Sequence, residues 1–532
     1  CRFIYFETAS TRTNPPWLDF VNENLSEGNA ITFRAQSRSA NGILLMAVAE
    51  RVVAATFGRS AGSYLDKSAL EPDFGIRTAM NMCGNEAIRQ TRTKSHAIIP
   101  TQIDRQVGKP SDTFVFGLSE AEDLRYISAH IKGDKNITLQ GRNSLTLKVI
   151  GETKLTWESL VARCRDFLEA YKQRDYATLF PNYKNFQQTS DKEALRLDET
   201  LIELLRARDF QRIQIGIPEF ISEEDYSFSY SNNSVRENAI YAFLDVRQLN
   251  EHLKLDDITI DKVKSKYIYA YSHIEDRILP YRKWKLYNCI LFEVEMEGRY
   301  YVLSDGRWLE VDREFYGGIV KFVSEVLHEE PCESLYENID ISDNEAKQNK
   351  EQIFNKEVCK RQPRAILFDR AKLRIGNSRK DKEFCDILDF TDEGLVRIIH
   401  CKPYKDSSST SYLFSQAQLY CEAFVSDRTF LNEIRAHIEG SGNSYKDTYL
   451  EHIKEDLGEV NGHHYIVCLW LLYNQSEPKP SKENMPLMAQ YELKLMHDRL
   501  RYVYKFRDIV IRFVPVHKTN YRTNRKPLQV AA

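Results

Sequence analysis

Asp386, His400 and Lys402, followed by Gln416 and Tyr420, are the residues whose types and spacing could do chemistry. Residues 365–369 run apolar up to a final aspartate, Gly376-Asn377-Ser378 is a polar turn, and residues 383–390 lead through Thr391-Asp392-Glu393-Gly394 into residues 395–402. Two short runs rich in β-branched residues, joined by Asp-Glu-Gly, predict an antiparallel hairpin. Side chains alternate along a strand, so His400 and Lys402 share one face and Asp386 of the partner strand lies within their reach. Ser407 to Ser411 offer N-caps for a helix in which Leu413, Gln416, Leu419 and Tyr420 recur at helical spacing. Gln416 and Tyr420, four apart, project from one face of it.

A carboxylate can hold a hard divalent cation such as Mg²⁺, and a neighbouring amine can neutralise charge as water attacks a phosphorus centre. Imidazole favours softer ions, so His400 brings Mn²⁺ beside Mg²⁺ as the expected cofactor. Glu383, three residues from Asp386, points to the opposite face of an ideal strand. A charged helix over residues 343–360 offers Glu345, Glu351 or Glu357 as a further acid, and the sequence does not choose among them.

An acid on one strand, a lysine closing the next and a helix carrying Gln-x-x-x-Tyr resemble the core of restriction-endonuclease-like nucleases, the PD-(D/E)XK superfamily. The resemblance implies Asp386 as metal ligand, with His400 and Glu383 as the further expected ligands, Lys402 as catalytic lysine, and Gln416 with Tyr420 as the helix pair that organises the site. His400 stands where that superfamily carries Glu or Asp. A second resemblance covers more of the chain. Thr56-Phe57-Gly58-Arg59, Pro72-Asp73-Phe74-Gly75-Ile76-Arg77 with Met80-Asn81, Leu303-Ser304-Asp305-Gly306-Arg307-Trp308, and His400-Cys401-Lys402 with Leu413-Phe414-Ser415-Gln416 look like a sporadically distributed prokaryotic family. That family is filed as a domain of unknown function and is often met in mobile or defence-associated gene neighbourhoods; it implies kinship and no chemistry.

The elements that must position these residues are set by length and pattern. At 532 residues the chain is too long for one ordinary core. Hydrophobic content of 42% and charged content of 28% are those of a folded globular protein, which excludes a disordered chain. The 74 basic residues face 77 acidic ones, so a nucleic-acid surface requires local segregation of charge. None of the 10 cysteines forms a C-x-x-C pair, which excludes a zinc ribbon, and no apolar run is long enough for a transmembrane helix. The expected fold is α+β and multidomain: a β-rich N-terminal domain over 1–135, a helical region and then a β-meander over 136–330, and a C-terminal α/β restriction-endonuclease-like domain over 331–532.

Arg89, Arg92, Lys94, Arg105 and Lys109, with only Asp104 opposing them, form a basic cluster that could contact phosphates. A break at residues 131–136 reads as a linker. Trp157, Leu160, Val161, Cys164, Phe167, Leu168 and Tyr171 give one helical apolar stripe, with Trp157 and Phe167 in the core. Exposed aromatics of the meander could stack bases. The expected function is that of a metal-dependent nuclease in prokaryotic defence against phage or plasmids. The expected setting is cytoplasmic, with nucleic acid (DNA or RNA) as partner, no membrane, and a second copy or a defence-system protein as further partner. The alternative is a binding or sensor protein whose nuclease-like domain has decayed, with His400 as the trace of lost catalysis.

Overall fold

A computed structural model describes residues 1–523 apart from 10–15, 24, 26–37, 59–60, 67–68, 72, 96–101, 112–121, 150–155, 181–182, 184, 211, 218–225, 233–239, 242–243, 273–274, 342–349, 381, 405–406 and 518–521. The chain divides into two compact units. One comprises Cys1–Thr93, Asp104–Leu118 and Leu124–Pro181, and the other Lys94–Ile103, Ser119–Asp123 and Asn182–Ala532.

In the first unit Arg2–Ala9, Arg38–Val48 and Arg51–Phe57 form an antiparallel sheet whose second and third strands are the expected hairpin. A five-stranded sheet follows, in the order Gln102–Ser111, Cys83–Ser95, Glu122–Ile131, Asp134–Gly141, Leu145–Val149. The break read as a linker is a hairpin turn inside this sheet: Gly133 takes φ +84 between two paired strands, where a Lys-Gly-Asp turn has the same composition as a linker. The Phe74–Met82 helix crosses the sheet so closely that a Cβ on Gly75 would stand 2.1 Å from the Ser144 carbonyl oxygen, which gives one residue of the family-like phrase a packing reason. Thr156 caps the Trp157–Lys172 helix through a reciprocal bond with Ser159, and Cys164, Phe167 and Ala170 are buried along it. Trp157, expected in the core, is 54% exposed, because it occupies the first helical position, ahead of the buried stripe.

Among the described residues the second unit holds three sheets. The meander appears as an antiparallel sheet ordered Ile213–Ile215, Ile290–Met296, Arg299–Ser304, Arg307–Val311, Phe186–Gln188. Its Ser304 to Arg307 hairpin turns on Asp305 and Gly306, both at positive φ. A second antiparallel sheet is ordered Arg277–Lys285, Tyr267–Ser272, Tyr226–Ser229, Ile240–Tyr241, Arg522–Thr523.

The third sheet is mixed. Ile366–Leu367, Ile387–Phe390 and Val396–Pro403 pair antiparallel in that order, and Val396–Pro403 pairs parallel with Tyr465–Asn474, which pairs parallel with Asp508–His517. His328–Glu329 and Ile339–Asp340 both add in parallel to the last strand. Tyr465 to Leu472 are buried without a break because both faces of this strand are covered, so its sequence is continuously apolar and does not alternate. One face packs on the Ser407–Ser426, Arg428–Gly440 and Leu487–Asp498 helices through Ile398, Leu413, Phe424, Ile434 and Leu493. The other packs on the Lys350–Arg361 helix through Phe354, Val358, Ile399, Cys401 and Trp470.

Leu487 and Tyr491 share a cluster with Phe186, Val302 and Val311 of the meander. Glu293 reinforces that junction by accepting the Leu487 N–H, 2.5 Å away, at the start of a helix that Pro486 leaves without a side-chain cap. Burial pushes the Glu293 carboxyl up to about 7, against the pull of the Leu487 and Met488 N–H groups and Arg212. A carboxyl that binds its proton more tightly folded than unfolded contributes stability that is complete below about 4.5 and lost as pH rises through about 7. The unfolding free energy of the wild type minus that of Glu293→Gln is therefore expected to fall across that window, by at most about 3 kcal/mol. Urea unfolding at a series of pH values measures it, and a flat difference would contradict the assignment.

Candidate active site

Register brings the acid and the amine to one end of the mixed sheet. Ile387 pairs with Ile399, so Asp386, just before the first strand, meets residues 400–402, which close the second. The Asp386 N–H donates to the Ile399 carbonyl at 3.0 Å, and the Cys401 N–H donates to Asp386 Oδ2 at 2.7 Å. The Lys350–Arg361 helix supplies the rest from two residues one turn apart. Asn355 Nδ2 donates to Asp386 Oδ1 at 3.2 Å and to Asp369 Oδ2 at 3.3 Å, while Glu351 Oε1 holds Lys402 Nζ at 2.9 Å. Glu351 and Lys402 are 7% and 9% exposed, so their pair is shielded from water.

Asp369, Glu383 and Asp386 each bring a carboxylate oxygen within 4.8 Å of the other two. The chain is not extended between Glu383 and Asp386, since the strand begins only at Ile387; the bend returns Glu383 to the side that ideal alternation denies it. Arg370 turns through φ +63, a left-handed conformation that costs about 1 kcal/mol for a residue with a Cβ. Its N–H donates to Glu383 Oε1 at 3.2 Å, and the Phe368 and Asp369 N–H groups donate to the Asp386 carbonyl at 2.9 and 3.0 Å. Burial, reinforced by the charge of Glu351, holds the Asp386 carboxyl well above the usual carboxylate range; the Cys401 N–H opposes the shift, and Asp369 and Glu383 add to it. Like charges gathered out of water are what a cation relieves, and an all-oxygen donor set suits a hard one.

Of the expected metal ligands, Asp386 and Glu383 lie in this cluster and His400 does not join it. His400 is fully buried, opposite Leu469 of the next strand, and both ring nitrogens lack a partner. Burial pushes its imidazole down to about 3, so it stays neutral at pH 7. By strand alternation it follows Ile398 into the face opposite the Lys350–Arg361 helix, whereas Lys402, at the strand end, has a four-carbon stem that carries Nζ to Glu351. Tyr420 is buried in the apolar core with its ring 6.2 Å from that of Phe430, and Gln416 is half-buried one turn before it.

Of the three acids expected on the preceding helix, Glu351 is the one seen to reach Lys402. Glu357 is tied to Lys360 and Arg361, and Glu345 lies outside the described residues. Sequence reasoning missed Asp369 and Asn355. Asp369 had a signal, an acid closing an apolar run, while an asparagine inside a charged helix had none.

The basic cluster lies on two strands, Cys83–Ser95 and Gln102–Ser111. Arg92 grips Asp104 with two bonds of 2.8 Å, and Arg105 donates to Thr93 Oγ1 at 3.2 Å. Arg89 is half-buried, Lys109 is exposed, and the side chain of Lys94 lies outside the described residues.

Lys402→Ala would leave Glu351 buried without its cation and is expected to cost about 3 kcal/mol of unfolding free energy. The double variant Glu351→Gln/Lys402→Met removes both charges and is expected to recover most of that loss in urea unfolding. Equal losses in both would contradict a buried pair.

No curated protein and no solved structure matches the chain. Residues 1–515 match the family described as family of unknown function (DUF6119), and the protein belongs to that family.

Proposed function

We propose that the protein is a metal-dependent nuclease that hydrolyses nucleic-acid phosphodiesters at the end of its mixed sheet. One observation carries the reading: Asp369, Glu383 and Asp386 converge beside the Glu351–Lys402 pair, and a single helix face contacts both groups. The order of elements supports it. A helix, three antiparallel strands, a helix and a parallel strand resemble the PD-(D/E)XK core, with Asp386 and Lys402 at the ends where that family carries its acid and its lysine.

The three carboxylates fit Mg²⁺ or Mn²⁺, and Asn355 Oδ1, fully buried beside them, has no partner. Bound there, such an ion supplies Lewis acidity to a phosphoryl oxygen and acidity to a coordinated water. The chain's own groups do the rest. Asp386, fixed by the Cys401 N–H and the Asn355 amide, presents its carboxylate without reorganising. Lys402 places a positive charge where water attacks phosphorus and the bond to the leaving oxygen breaks, and Glu351 keeps that ammonium charged and in place. His400 takes no part; Asp369 and Glu383 provide the carboxylate that its position lacks. The setting proposed for this activity is prokaryotic defence against phage or plasmids.

Asp386→Ala and Lys402→Met are each expected to lower Mn²⁺-dependent cleavage of DNA or RNA at least about 100-fold. In calorimetry Asp386→Ala should lose Mn²⁺ binding while Lys402→Met keeps it. Folded variants that cleave like the wild type would refute the reading. A wild type that binds neither ion would favour the alternative, a catalytically silent binding protein.

A further inference from the structure

At one edge of the second antiparallel sheet two lysines of the last strand stand opposite two tyrosines of its neighbour. Arg277–Lys285 is the edge strand among the described residues, and it pairs with Tyr267–Ser272 so that Lys285 faces Tyr267 and Lys283 faces Tyr269. Cross-strand partners share a face, so these four side chains form a two-by-two patch. The opposite face packs into the main core through Trp284, Ile268 and Phe228, while on the near face half-buried Tyr269 leans on a small cluster of Ile240, Tyr271 and Ile278. Lys283 and Lys285 are exposed, and Tyr281, in the bulge between Lys283 and Leu279, is 72% exposed two residues before Lys283.

The rings are held for contact. Those of Tyr267 and Tyr269 stand 6.3 Å apart, and Lys283 Nζ lies 4.7 Å from the Tyr267 ring centre. Charge is segregated here as it is not in the chain as a whole. Between Tyr267 and Lys285 the acids are Glu275 and Asp276, the first bound by Arg277 at 2.5 Å and the second by the Tyr271 hydroxyl, which leaves Lys283 and Lys285 unopposed by them. Lysines two apart on an extended strand stand about 7 Å from each other, on the scale of successive nucleotides in a stretched single strand. Cations spaced for phosphates, interleaved with aromatic faces, are the features that hold unpaired nucleic acid. An acidic peptide would use the lysines and leave three tyrosines without a role.

We propose that Tyr267, Tyr269, Tyr281, Lys283 and Lys285 form a platform for single-stranded nucleic acid, phosphates on the lysines and bases on the rings. The proposal extends the nuclease reading by giving the substrate a single-stranded stretch, and rests on it only for that destination.

Fluorescence anisotropy tests it with the full chain and labelled 20-nucleotide oligo(dT) and oligo(U), in EDTA so that cleavage does not enter. The wild type is expected to bind at least one of them, and the preferred arm tells deoxyribose from ribose. Lys283→Gln/Lys285→Gln should weaken binding at least about tenfold and reduce the slope of log affinity against log salt by about 1.4, the value for two phosphate contacts. Lys283→Arg/Lys285→Arg should keep both. Tyr267→Ala/Tyr281→Ala should weaken binding about tenfold with the slope unchanged. No binding by the wild type, an unchanged affinity and slope in the glutamine variant, or equal competition by polyglutamate would overturn the platform. Binding without any Mn²⁺-dependent cleavage would leave the platform standing and sink the nuclease; cleavage with no platform-dependent binding would do the reverse.

Discussion

The amide of Asn355, shared between Asp369 and Asp386, is the contact on which the candidate site depends. Two carboxylates at this distance repel, and in a poorly hydrated site the repulsion is weakly screened. A neutral donor bridging them holds the pair in place. Asn355 can do so because Phe354 and Val358 of the same helix are fully buried against Ile399, Cys401 and Trp470 of the sheet. Core packing thus fixes the helix, the helix fixes Glu351 and Asn355, and those two fix the amine and the acids.

The mixed sheet carries a second group of buried charges, and the contrast separates architecture from function. Arg397 joins Asp389 and Glu333, Arg512 joins Glu330 and Glu333, and Arg364 joins Asp389 and Asp392. Each guanidinium there has its carboxylates, and Arg512 also lies over Trp470, 4.9 Å from the ring centre. A balanced network of this kind locks strands together. At the other end Asp369, Glu383 and Asp386 gather within 4.8 Å of one another beside the Glu351–Lys402 pair, an arrangement that could hold a cation.

The elements around the candidate site were legible because their patterns are local. The Asp-Glu-Gly turn gave the hairpin, apolar runs gave the strands, and serines gave the start of the Ser407–Ser426 helix. From these follows the meeting of Asp386 with Lys402 at one sheet end. What escaped notice depended on departures from ideal geometry or on contacts distant in sequence. The bend before Ile387 brings Glu383 round, a left-handed Arg370 turns Asp369 inward, and the fully apolar surroundings of His400 became visible only once Leu469 lay beside it. The turn at Gly133 and the packing of Leu487 on the meander were hidden for the same reason, since composition marks a turn but not what pairs across it.

The central claim is that three carboxylates from separate turns hold one divalent cation beside Lys402. Anomalous diffraction from crystals soaked in Mn²⁺ tests it most directly. The account predicts a single strong peak among Asp369, Glu383 and Asp386 in the wild type, and none there in Asp386→Ala. A peak elsewhere, or an empty cluster in crystals of an enzyme that needs Mn²⁺, would contradict it.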